Sequence, residues 1–183
     1  MRVTAETKEA TRQAILDSTL KLLREQGWPN VGTREIASEA GIANGTLFNY
    51  FPTKEAIVGT LVANVLAESN EAPRTGGVDE QLFALIASGL RRLRPLRSFL
   101  PFVVDSILAH DGDRIREEHL SQVDRIVERP LTPMLRHLYW SLYAGVITFW
   151  VADPSRKQED TLAFIDQSVA LFIDAIRRKE SGT

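Results

Sequence analysis

Apolar positions along this chain recur at spacings of three and four residues, the period of helices that each bury one face, and no stretch alternates as a strand would. Over 8–26, Leu16, Leu20 and Leu23 share a face, flanked by Ile15 and Leu22. Gly27 suits the end of that helix and Pro29 prevents its resumption. Thr33 is placed to cap a short helix, with Glu35 facing the positive end of its dipole, and Gly41 ends it. Another short helix spans 44–50. Pro52 breaks it, and Thr53 can cap a helix carrying Ile57, Leu61, Val65 and Leu66 on one side. Residues 69–78, with Pro73 and the Gly76-Gly77 pair, read as a linker. Beyond it the pattern predicts helices over 79–93, opened by Asp79, over 98–110, and over 113–128, opened by Asp113. Thr132-Pro133 predicts a helix to 152, stopped by Asp153-Pro154, and the last helix runs over 157–178. The expected architecture is all-α, with about nine helices. A helix-turn-helix domain would occupy 1–55, a connecting helix 53–69, and a second helical domain 70–183.

Composition narrows the function only slightly. At 44% hydrophobic residues the chain of 183 can bury a sizeable core. It contains no cysteine, so disulfides and thiol chemistry are excluded. The first residues are polar, and the longest uncharged apolar run, 138–152, falls short of the ~20 residues a bilayer needs. A soluble, cytoplasmic protein with no membrane partner is expected. Net charge is −2, with seven Lys/Arg against six Asp/Glu in residues 1–54. Bulk charge therefore does not argue for nucleic acid, and any such case rests on individual side chains.

Those side chains lie between Thr33 and Phe51. Ala37 is small where two helices would cross, Gly41 supplies a tight turn, and Leu47 falls where it can point back into a small core. Ile36, Ala40, Ile42 and Tyr50 complete the inward set. Asn44, Gly45, Thr46, Phe48 and Asn49 are then turned outward. Asn can pair bidentately with adenine, and a Thr methyl can pack on a thymine methyl. Gly45 would let backbone come close to a phosphate. On spacing alone two readings stay open: a DNA reader, and an all-helical binding or assembly module whose helix-turn-helix serves packing only.

The run Ile36-Ala37, Ala40-Gly41-Ile42 and Gly45-Thr46-Leu47-Phe48-Asn49-Tyr50-Phe51-Pro52-Thr53-Lys54-Glu55-Ala56 resembles the TetR family of repressors, and the resemblance covers about residues 8–62. It implies a DNA-binding regulator, with Thr33, Tyr50 and Lys54 on phosphates and Asn44, Gly45, Thr46, Phe48 and Asn49 at or near base edges. Two positions depart from the family pattern. Ala43 stands where Ser is usual, which makes Asn44 the candidate cap. Phe48 stands where Tyr is usual, and its hydroxyl is lost.

The resemblance further implies dimerisation and effector binding by the remaining two thirds. The residues give independent support. Leu162, Ile165, Val169, Phe172 and Ile176 form a heptad-like seam, while Phe164 and Leu171 lie on a second strip of the same helix. The helix before it is apolar nearly all round. A homodimer built from the last two helices is expected, with the seam as the interface. It would bind a double-stranded palindromic operator and release it to a small-molecule effector. Phe99, Phe102, Val103, Ile107, Trp140 and Tyr143 are the candidate pocket residues, and Tyr139 offers a further polar handle. Arg97, Asp105, Asp124 and Arg136 form no cluster of one sign, so the expected effector is mainly apolar and at most weakly charged. His110, Asp111, Asp113 and His119 are the one group with metal-ligand chemistry, and their spacing fits no metal motif. No cofactor, metal or catalytic constellation is expected, and the chain is not read as an enzyme.

Overall fold

The computed structural model describes residues 4–67, 75–102 and 113–181 and, within these, all side chains but those of 66–67, 113–115 and 179–181. The described residues form eight α-helices and no strand. In chain order they are α1 (Ala5–Gln26), α2 (Thr33–Glu39), α3 (Asn44–Phe48), α4 (Lys54–Ala67), α5 (Val78–Leu93), α6 (Asp113–Ile126), α7 (Pro133–Ala152) and α8 (Glu159–Ser181). The helix expected over 98–110 lies largely outside the described residues, and within its described part, 98–102, Leu100–Phe102 is a 3-10 turn.

The helix ends show which local signals decide. Thr4 caps α1 through its hydroxyl, which accepts from the Thr7 amide at 3.2 Å. Gly27 ends α1 at φ +77°, a conformation that favours glycine. Thr53 accepts from the Ala56 amide at 3.1 Å, and Thr132 caps α7 with Pro133 in its first turn. Two expected caps are displaced. Gly32, not Thr33, occupies the cap of α2, where the Glu35 carboxylate reaches back to the Gly32 amide. Gly77, not Asp79, caps α5 and donates its amide to Glu80 at 3.2 Å. In both, a carboxylate three residues into the helix replaces the capping side chain.

The described chain divides into two units, 4–64 with Phe102, and 65–101 with 113–181. In the first, Ile15, Leu16 and Leu23 of α1 are buried with Ile36 and Ala37 of α2, Leu47 of α3, and Ile57 and Val58 of α4. In the second, α8 packs on α7 and on α5. Asp153 ends α7 by accepting from the Ser155 amide at 2.7 Å and the Thr161 amide at 3.1 Å. Hydrogen bonds from Ser155 and Thr161 hold its carboxyl down to about 2. Arg97 donates to the Trp150 carbonyl at 2.7 Å and the Asp153 carbonyl at 2.5 Å, filling acceptors that a helix end leaves open.

The seam of the last helix is turned inward. Ile165, Val169, Phe172 and Ile176 are buried within their own protomer, and only Leu162 of the five expected interface residues is exposed. A heptad repeat states that one face is covered but not by which chain, and here α5 and α7 of the same chain cover it. The second strip faces outward instead, with Leu171 at 62% exposure beside Phe172 at 1%.

Candidate functional site

The turn between α2 and α3 is built on three backbone bonds. The Ala40 amide donates to the Ile36 carbonyl at 2.9 Å, Gly41 to Ser38 at 3.1 Å, and Ile42 to Ala37 at 2.9 Å. Gly41 sits at φ +69°, and a Cβ added there would meet nothing within 4 Å. Backbone conformation, not space, therefore selects glycine at this position. With the turn so fixed, Leu47 is fully buried and the opposite side of α3 faces solvent. Phe48 is 46% exposed, Gly45 and Asn49 are exposed, and Thr46 and Tyr50 are half-buried. A Cβ at Gly45 would also meet nothing within 4 Å, so nothing inside the protein requires its small size. An exposed apolar ring beside an exposed amide suits a groove that presents both thymine methyls and adenine edges.

Three expected site residues take up different local positions. Thr33 is the first helical residue of α2 and half-buried. Asn44 does not cap α3; Ala43 holds that position without a side-chain bond, and the enclosed Asn44 Oδ1 has no partner. Lys54 is engaged inside its own unit. Its Nζ donates to the Trp28 carbonyl at 2.9 Å and the Val31 carbonyl at 2.8 Å, and lies 4.0 Å from the Trp28 ring centroid. Burial lowers its pKa, opposed by Glu55 and Glu35. An ammonium has three protons, so at most one remains for a phosphate while this clamp holds the start of α4 against the α1–α2 connection.

Residues 15–61 match the family model for bacterial regulatory proteins of the tetR family, and residues 104–181 match a tetracyclin repressor-like C-terminal domain. The HTH-type transcriptional repressor LfrR of Mycolicibacterium smegmatis is 31% identical over 150 residues, 74% of this chain and 76% of that protein. The chain belongs to the TetR family. A further relative is the Escherichia coli tetracycline repressor protein class D, 28% identical over 87% of this chain and 72% of its own length. Among solved structures, a TetR regulator from Rhodococcus sp. RHA1 superposes with a TM-score of 0.71 at 19% identity, over 92% of this chain and 98% of that one. The Thermus thermophilus repressor FadR in complex with lauroyl-CoA gives 0.69 at 20% identity, over 88% and 93%. Like its family, this TetR protein is a DNA-binding transcriptional regulator, and the reading of its helix-turn-helix as a packing device alone falls away. No helix among the described residues is long and apolar enough to cross a membrane.

In the second unit of this TetR chain, Trp140 and Tyr143 are buried, and both join an aromatic cluster on α7. Phe99 is buried. Phe102 belongs instead to the first unit, where it is 49% exposed and its ring stacks on Trp28 at 5.3 Å. Val103 and Ile107 lie outside the described residues, as do Asp105, His110 and Asp111. The His119 Nε2 lies 3.0 Å from the Tyr139 hydroxyl. Arg136 pairs with Asp124 at 2.5 Å and Glu117 at 2.6 Å, which removes two of the charges considered for an effector. Sequence reasoning passed over Arg92. Its signal was its spacing from the buried Leu85 and Gly89, which sets a cation beside the inward stripe of α5.

Proposed function

We propose that the chain is a homodimeric repressor that leaves a palindromic operator when a small, mainly apolar molecule enters its second unit. Residues 1–55 would read DNA, the helix after them would connect, and 70–183 would bind effector and partner, in the cytoplasm. The observation that carries the dimer is the outer face of α7 and α8. Met134 is 78% exposed and with Leu138 and Leu171 lines a groove of about 500 Å³, and Phe149 and Leu162 are exposed elsewhere on the same two helices. Apolar side chains gathered on one face mark an association surface. A second copy is the occupant because a palindrome requires two reader helices about one DNA turn apart.

The contacts to DNA follow from α3 and its flanks. Gly45, Thr46, Phe48 and Asn49 would meet base edges, with Asn44 near them, while Thr33, Tyr50 and the remaining Lys54 proton would meet phosphates. Selection of bound duplexes from a random pool tests this, and an inverted repeat is the expected product. Asn49→Ala should then relax preference at one base pair by ~1–3 kcal/mol, while Tyr50→Phe weakens all sequences alike. A pool in which no sequence is enriched overturns the reading.

A further inference from the structure

The second unit encloses a group of polar side chains that neither DNA reading nor core packing accounts for. Arg92 lies near the end of α5, and its enclosed Nε has no hydrogen-bond partner. Tyr143 of α7 is 2% exposed, and its hydroxyl also lacks one. The His119 ring of α6 stacks on Tyr143 with centroids 4.2 Å apart and planes 18° apart, and Trp140 lies 5.5 Å from the same tyrosine. Tyr139, bonded to His119, meets Phe172 edge-on at 5.0 Å. Among the described residues no carboxylate pairs with Arg92.

The protonation states follow from this enclosure. His119 keeps some solvent exposure as a residue, but desolvation of its ring, and then the Arg92 charge, push it down to about 3, so it is neutral. Burial pushes Tyr143 up to about 12, so it keeps its proton. Arg92 remains charged. Arg92 is therefore the one charge within the group, which holds two donors without acceptors inside aromatic walls, and a second guanidinium, Arg116, lies 5.8 Å from the centroid of the Trp140 wall. Enclosed donors are ordinarily matched, a guanidinium pairs bidentately with carboxylate or phosphate, and of the two a carboxylate carries the single negative charge that balances one enclosed Arg92.

We propose that Arg92 and Tyr143 bind the acceptor end of the effector, and that the effector is a monocarboxylate on an apolar body. The inference rests on reading the second unit as the effector-binding one. Arg92 supplies the charge, Tyr143 a neutral donor to the same carboxylate, and the His119–Tyr139 bond holds the ring wall in place. Trp140, Tyr139 and Phe172 would face the apolar body.

Isothermal titration of the full-length protein tests it. The probes are dodecanoate and 4-phenylbutanoate, each beside its methyl ester, so that a lipid-like and an aryl acid are distinguished. At least one acid should saturate the protein and bind about tenfold or more tighter than its ester, as expected for a charged hydrogen bond. Arg92→Met should erase that preference. Tyr143→Phe, which keeps the ring and the fold, should weaken the acid severalfold and leave the ester unchanged. Equal binding of acid and ester, no binding of either acid, or an acid preference untouched by both variants overturns the inference. Operator binding by the ligand-free protein is measured in parallel. Its loss would sink the regulator reading, whereas operator binding without acid preference sinks this inference alone.

Discussion

The two units leave different groups unmatched. In the first, the enclosed donors are matched: Thr19 donates back to the Ile15 carbonyl at 2.7 Å, and Lys54 serves two carbonyls. Among its described residues the unmatched enclosed atom is an acceptor, Asn44 Oδ1, and the rest of what it offers lies outside, at Gly45, Phe48 and Asn49. In the second, the unmatched donors are enclosed, Arg92 Nε and Tyr143 Oη among them, and the outer face of α7 and α8 exposes apolar side chains at Met134, Leu138 and Leu171. The difference matches the proposed partners: a duplex is too large to enclose and would be met by an outer face, while a small molecule would gain most from donors already stripped of water.

The sharpest test of that contrast uses neighbours on α8. Phe172→Ala opens a cavity against Tyr139 and should cost about 3–5 kcal/mol, read by denaturant unfolding. Leu171→Glu, one residue away, should change stability by no more than about 0.5 kcal/mol yet dissociate the proposed dimer, read by light scattering. A destabilised Leu171→Glu, or a Phe172→Ala of unchanged stability, would exchange the inner and outer strips.

Acid titration probes the enclosed group. His119 binds its proton at about 3 in the folded protein, below the ordinary 6.5. Between these values the unfolded chain holds more protons, so the contribution of His119 is complete above 6.5 and declines as pH falls towards 3. The slope is at most about 1.4 kcal/mol per pH unit. Chemical unfolding at pH 7, 6 and 5 should show it, and His119→Gln should flatten the curve between pH 6 and 5. A wild-type curve already flat there means that the ring is solvated.

The smallest effect belongs to Gly45. Alanine should stabilise α3 by about 0.5–1 kcal/mol in thermal unfolding, because open space surrounds the position and glycine disfavours helix. The same change should weaken operator binding severalfold by holding the backbone away from DNA. Gain of stability with unaltered DNA binding would remove Gly45 from the interface.

Much of this molecule was legible as local pattern. The α2–α3 turn was, because Gly41 and Leu47 act within a few residues of each other. So were the caps at Thr53 and Thr132 and the stop at Asp153. The solvent-facing side of α3 followed from the buried side by elimination. Lys54 was misjudged in part: a cation at a helix start suggests an anion, but the Trp28 and Val31 carbonyls that engage it stand more than twenty residues earlier in the chain.

Helical period and several helix ends, those at Gly27, Thr53, Thr132 and Asp153, were therefore written in the sequence itself, since they depend on neighbours three or four residues away. The family was written there as well, in the run from Ile36 to Ala56. Only the tertiary structure decided which of two apolar strips on α8 is covered by its own chain. Periodicity records that a face is buried and carries no label for what buries it. Only the tertiary structure joined Arg92, His119 and Tyr143, residues from three helices whose meeting depends on how α5, α6 and α7 pack.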